Sequence, residues 1–63
     1  MSTESPDRFL RLADVLVRTG LKRSTLYRKM REGSFPRQHR IAERCVAWRD
    51  SDVRKWMDEQ KRL

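Results

Sequence analysis

The stretch Leu12-Ala13-Asp14-Val15-Leu16-Val17-Arg18-Thr19-Gly20-Leu21-Lys22-Arg23-Ser24-Thr25-Leu26-Tyr27-Arg28-Lys29-Met30-Arg31-Glu32-Gly33 carries one continuous pattern. Leu12, Val15 and Leu16 recur at helical spacing, so a short helix is expected over roughly Ala13 to Arg18. Asp14 sits in its first turn, where negative charge suits the helix dipole. Gly20 supplies the left-handed conformation that a helix end often takes. A second helix is expected from about Arg23 to Glu32, and Gly33 stops it. At about 100° per residue, Leu26, Tyr27 and Met30 fall on one side of it, and Ser24, Thr25, Arg28, Lys29 and Glu32 on the other. Two short helices joined by a glycine-containing turn form a helix-turn-helix. Its second helix is the one such a unit presents to the major groove of DNA. Arg can pair bidentately with guanine, and Ser or Thr can contact several bases or phosphates. Lys22, Lys29 and Arg31 are the expected contacts to the phosphate backbone.

Upstream, Met1 to Asp7 is polar, contains Pro6 and reads as a disordered tail, leaving 8–63 as one DNA-binding domain. Phe9-Leu10-Arg11-Leu12 reads as an extended lead-in that packs Leu10 and Leu12 into the core. Downstream, Phe35-Pro36 breaks the chain after Gly33. Arg37-Gln38-His39-Arg40-Ile41 and Arg44-Cys45-Val46-Ala47-Trp48 then read as two strands around Ala42-Glu43. A basic hairpin after a helix-turn-helix is a wing, laying Arg37, His39, Arg40 and Arg44 along the backbone or into the minor groove. Asp50 or Ser51 can cap a last helix, with Asp52 in its first turn. Val53, Trp56 and Met57 recur at i, i+3 and i+4, an amphipathic stripe that closes the core. Trp48 and Trp56 are both expected in that core. The fold expected is small α+β: a winged helix-turn-helix with a two-helix unit, a β-hairpin wing and a C-terminal helix.

Charge sharpens the reading. The 63-residue chain has a formal charge of +7, from 16 Lys and Arg against nine Asp and Glu. Nine of the basic residues and two of the acidic ones lie between Arg18 and Arg44, so the remainder balances. A localised basic face is the electrostatic footprint of a phosphate-binding protein. A single cysteine leaves no internal disulfide and no metal cluster, which fits a reducing cytoplasm. No apolar run is long enough for a membrane span or a secretory signal. A core this small leaves a stability margin of about 3–5 kcal/mol.

Four pieces carry a family resemblance: Phe-Leu-Arg-Leu-Ala-Asp-Val at 9–15, Thr-Gly-Leu-x-Arg-Ser-Thr-Leu-Tyr-Arg at 19–28, Gly-x-Phe-Pro at 33–36, and Val-Ala-Trp-Arg-x-Ser-Asp-Val-x-x-Trp at 46–56. Over Arg8 to Trp56 the chain resembles the AlpA-type phage and prophage regulators, small MerR-like winged helix-turn-helix proteins related to excisionases. The resemblance implies a DNA-binding transcriptional regulator of an integrated mobile element, one that can control an integrase or excisionase gene. It implies recognition positions at Arg23, Ser24, Thr25, Tyr27 and Arg28. It implies a wing over Arg37, Gln38, His39, Arg40 and the residues up to Arg44. The sequence departs from the family at Lys22, where Ser commonly caps the recognition helix, and at Ile41-Ala42-Glu43-Arg44, where the wing turn commonly has glycine.

Three functions compete. The first is a sequence-specific transcription factor, bound to double-stranded DNA in the cytoplasm at the nucleoid. It would have no small-molecule effector, because the long dimerising helix and effector region of MerR proteins proper are missing. Self-association on DNA, and contact with RNA polymerase or an integrase, are its expected protein partners. The second is an excisionase-like architectural factor that bends DNA for site-specific recombination. The third is a protein-interaction adaptor or antirepressor whose basic face meets an acidic partner. An enzyme is not expected, and no cofactor, metal or catalytic residue is assigned. His39 and Cys45 are the sole histidine and cysteine, six residues apart with no evident carboxylate to orient them.

Overall fold

The computed structural model describes residues 7–61. Six elements follow in order: β1 (Phe9–Leu10), α1 (Leu12–Thr19), α2 (Arg23–Glu32), β2 (His39–Ala42), β3 (Cys45–Arg49) and α3 (Asp50–Asp58). The strands form an antiparallel sheet in the order β1-β3-β2. Leu10, Val15, Leu26, Phe35, Trp48 and Val53 make one buried cluster, so every helix contributes to a single core. This is the α+β winged helix-turn-helix that the pattern implies.

The lead-in is shorter than its sequence suggests. Strand β1 ends at Leu10, and Leu12 already belongs to α1, half-buried against the core. The Val15 N–H donates to the Arg11 carbonyl at 3.0 Å, which starts the helix one residue before Ala13. At the other end the Thr19 hydroxyl donates to the Val15 carbonyl at 2.8 Å. Gly20 follows in the left-handed region, with φ 74°, and its N–H closes the helix onto the Leu16 carbonyl. The three-residue turn to α2 is held by half-buried Leu21, which packs on the core.

Helix α2 has the bounds its pattern implies. Gly33, with φ 81°, takes the left-handed position after it. The Gly33 N–H donates to the Met30 carbonyl and the Ser34 N–H to the Lys29 carbonyl at 2.9 Å, the pair of bonds that defines a Schellman ending.

The connection from α2 to β2 is a packed part of the core. Phe35 is buried and meets Trp48 and Trp56 edge-on, with ring centroids 6.5 and 4.8 Å away. The Trp48 indole N–H donates to the Pro36 carbonyl at 3.0 Å, and that of Trp56 to the Ser34 carbonyl at 2.6 Å. Each indole satisfies its one polar atom on this loop. Trp48 is fully buried, whereas Trp56 stays half-buried at the edge of the cluster.

The hairpin is displaced from its expected position. Strand β2 starts at His39 rather than Arg37, and the turn is Glu43-Arg44 rather than Ala42-Glu43. Arg37 and Gln38 thus lie in the connection, and Arg44 lies in the turn. Among the described residues only Gly20 and Gly33 have positive φ, so this tight turn is not of the primed types that match strand twist. The register slips between Arg40 and Ala42, leaving Ile41 as the extra residue of a bulge. A bulge adds local twist, which reconciles the strands with an ordinary turn.

The start of α3 is a second correction. Neither Asp50 nor Ser51 caps it, because both lie inside its first turn and Arg49 occupies the cap position without a side-chain bond. The cap comes from a distant residue. Asp7 accepts from the Ser51 N–H at 3.0 Å and from the Ser51 hydroxyl at 2.8 Å, while the Asp50 N–H donates to the Arg8 carbonyl. Asp7, placed with the tail on sequence grounds, is therefore joined to the folded unit. Residues 1–6 of that expected tail lie outside the described residues.

Candidate nucleic-acid interface

Leu26 is the buried pivot of α2, and Met30 packs one turn later on the same side. Ser24, Arg28 and Arg31 lie within about 60° of one another on the opposite side, and all three are exposed. Tyr27 and Thr25 flank this stripe on either edge, half-buried. Lys29, also half-buried, falls on the flank next to Leu26 rather than on the exposed stripe. Arg23 is exposed in the first turn and Glu32 in the last. Five expected recognition residues thus divide into Ser24 and Arg28 on the outward stripe, Arg23 exposed in the first turn off that stripe, and an edge pair, Thr25 and Tyr27. Arg31 joins the outward stripe, which the sequence pattern alone did not separate from the phosphate contacts.

The N-terminus of α2 is electrostatically open. Lys22 occupies the cap position, extended, with no side-chain bond, and no acidic residue stands in the first turn. The first-turn N–H groups and the positive end of the helix dipole therefore favour an anion at this point. Arg28 approaches Glu32 at 3.9 Å, but both side chains are more than half exposed, so the pair is weak.

Ion pairing concentrates the free charge. Asp50 gathers three guanidinium groups, those of Arg18 at 2.9 Å, Arg54 at 3.7 Å and Arg8 at 3.9 Å. Arg49 lies 3.7 Å from Asp7. Arg18, counted in the basic run on sequence grounds, thus belongs to the cluster around Asp50. Among the described residues, Lys22, Arg23, Lys29, Arg31, Arg37, Arg40 and Arg44 have no carboxylate within pairing distance. Arg40 is on β2, Arg44 at the wing turn, and Arg37 with Gln38 at the wing root. Every one of these four residues is exposed.

Between the end of α2, the 33–38 connection and α3 runs an open groove of about 830 Å³, bordered by Arg31, Arg37, His39, Asp52, Lys55 and Trp56. His39 has a carboxylate near it after all: its Nε2 is 3.7 Å from Asp52 Oδ2. The sequence hid this partner because it comes from the other side of the hairpin. Cys45 is half-buried on β3 opposite Ala42, near the wing turn.

A helix-turn-helix followed by a bulged hairpin and a closing helix defines a small winged helix-turn-helix protein. Residues 8–63 match the family model described as the prophage CP4-57 regulatory protein AlpA. The chain belongs to that AlpA family. It is 26% identical over 69 residues to the DNA-binding transcriptional activator AlpA of Escherichia coli strain K12, in a match covering all of this chain and 99% of that protein. It is 45% identical over 51 residues to the uncharacterized protein ORF88 of Enterobacteria phage P4. That second match covers 81% of this chain but 58% of the phage protein. No solved structure matches the chain. Among the described residues no helix is long and apolar enough to cross a membrane.

Proposed function

We propose that this protein is a sequence-specific DNA-binding transcriptional regulator of phage or prophage type. Its second helix enters the major groove with Arg23, Ser24 and Arg28 at base edges and Thr25 and Tyr27 at the margins. Lys22, Lys29 and Arg31 hold the phosphates that border the groove. The wing, rooted at His39, follows the duplex and lays Arg37, Gln38, Arg40 and Arg44 along the backbone. The observation that carries this reading is that seven of the ten cations without a carboxylate in pairing distance among the described residues lie between the start of α2 and the wing turn, with Arg11, Lys55 and Lys61 elsewhere. The activator function in the name of the E. coli relative supports a regulatory role. On this reading several copies assemble side by side on a promoter of the mobile element, touch RNA polymerase and raise transcription of an integrase or excisionase gene.

The test is selection of bound fragments from the host genome, followed by Arg28→Ala on the recovered site. The substitution is expected to cost about 1–3 kcal/mol on that site and to relax preference at one base position. Equal losses on the selected site and on a random duplex would make Arg28 a phosphate contact and remove it from the reading head. Recovery of phased arrays beside an attachment site, with strong bending, would point to the architectural function instead.

A further inference from the structure

The outer part of the wing has little to hold it. All four residues of β2 are exposed. Strand β3 has a neighbour on its other side only at Trp48 and Arg49, where β1 pairs with it. From Val46 outward the hairpin is two strands, and two strands alone are marginally stable in water. The angle of the wing must therefore be fixed at its root.

One β2 side chain reaches beyond the hairpin. The His39 ring lies 6.0 Å from the Phe9 ring of β1, tilted by 58°. Its Nε2 lies 3.7 Å from Asp52 Oδ2 in the first turn of α3. Among the described residues no other β2 side chain makes an aromatic or ion-pair contact outside the hairpin. The register sets His39 opposite Ala47, and strand periodicity puts Phe9 on the same face. Ala47 is fully buried, and its small side chain leaves room for the two rings to close over that face.

We infer that His39 and Asp52 set the angle of the wing, acting as positioning residues through the contact between them. The inference rests on the proposed function, because it assumes that the wing meets a duplex. The contact is long and polar, so its direct energy is small; its effect comes from leverage. The turn lies about 13 Å from His39 at roughly 3.3 Å per residue, so a tilt of about 10° at the root moves the tip by about 2 Å. A displacement of that size breaks a hydrogen bond to a phosphate. Asp52 also offers a test of sign. If charge alone mattered, removing a carboxylate from a cationic protein would strengthen its hold on a polyanion. If Asp52 positions the wing, the same change weakens binding.

The experiment uses the full chain and a duplex selected from a randomised pool by the wild-type protein, with affinity followed by fluorescence anisotropy across a salt series. Arg44→Ala is expected to weaken binding about fivefold and to make the salt slope about one unit shallower. Asp52→Asn is expected to weaken binding about threefold, and the double variant to bind no worse than Arg44→Ala alone, as for coupled residues. Tighter or unchanged binding by Asp52→Asn, or losses that simply add, overturns the inference and leaves the wing a DNA contact. If neither Arg40→Ala nor Arg44→Ala changes affinity or slope, the wing does not touch the duplex, and the function proposed for it falls together with the inference. Thermal melts verify folding. Should Asp52→Asn fail to fold, His39→Gln carries the same expectations of sign and coupling with Arg44→Ala.

Discussion

Single residues at a distance from the proposed DNA-facing surface hold this fold together. Phe35 touches both tryptophans, and its loop accepts both indole N–H groups. Phe35→Ala is expected to cost about 3–5 kcal/mol, which is the whole margin of a domain this small. The expected result is loss of the cooperative melt by circular dichroism; a melt within a few degrees of wild type would show that the loop repacks. Asp7 acts at the opposite corner. Hydrogen bonds from the Ser51 backbone and hydroxyl, with the Arg49 guanidinium nearby, hold its carboxyl below the ordinary value. A pKa lowered by folding stabilises the folded state above the ordinary carboxylate value of about 4, and that stabilisation fades as pH falls through the folded-state value. Asp7→Asn is therefore expected to lower the melting temperature at neutral pH and to converge with wild type in acid; a gap that persists in acid contradicts the cap. Trp48 was legible as core from sequence because it alternates within a strand. Phe35 was not, because it lies in a loop where no period marks burial. Asp7 gave no signal, since a cap supplied across the fold has no fixed sequence spacing.

At the scale of elements, the helices were legible and the strand edges were not. Apolar spacing and a following glycine bound α1 and α2, and both glycines take the positive φ that their positions require. The hairpin slipped because the turn lacks Asn-Gly or Asp-Gly, and the bulge at Ile41 cannot be read from composition. Strand β1 is two residues long, too short for alternation to show that it pairs with β3. Lys22 is the element-scale choice with the clearest consequence. It leaves α2 uncapped, which costs folding stability, yet it places a cation where the helix dipole already favours a phosphate. Lys22→Ser is expected to stabilise the fold by about 0.5–2 kcal/mol as a restored cap. The same change is expected to weaken DNA binding and to make its salt slope about one unit shallower. Titration calorimetry and a melt on one preparation check both signs. Stability gained with affinity unchanged would remove Lys22 from the interface.

For the molecule as a whole, the concentration of charge between Arg18 and Arg44 was visible in the sequence, and it pointed to a polyanion. Its exact footprint was not, because pairing is tertiary. Arg18 is spent on Asp50, and the outlying Arg8, Arg49 and Arg54 are likewise matched by carboxylates. Most of what is left among the described residues lies on one helix, one loop and one hairpin, with Arg11, Lys55 and Lys61 elsewhere. Division of the α2 residues into an outward stripe and a half-buried margin was clearer in the packed structure: Lys29, read from sequence with the exposed group, lies only about 60° from Leu26 around the helix and is half-buried. The most direct test of the account is amide chemical-shift mapping of the labelled chain titrated with its selected duplex. The largest changes are expected along Arg23 to Glu32, led by Ser24, Arg28 and Arg31, with a second set at Arg40 and Arg44. Silence along α2, with the shifts confined to α1 or α3, would contradict it.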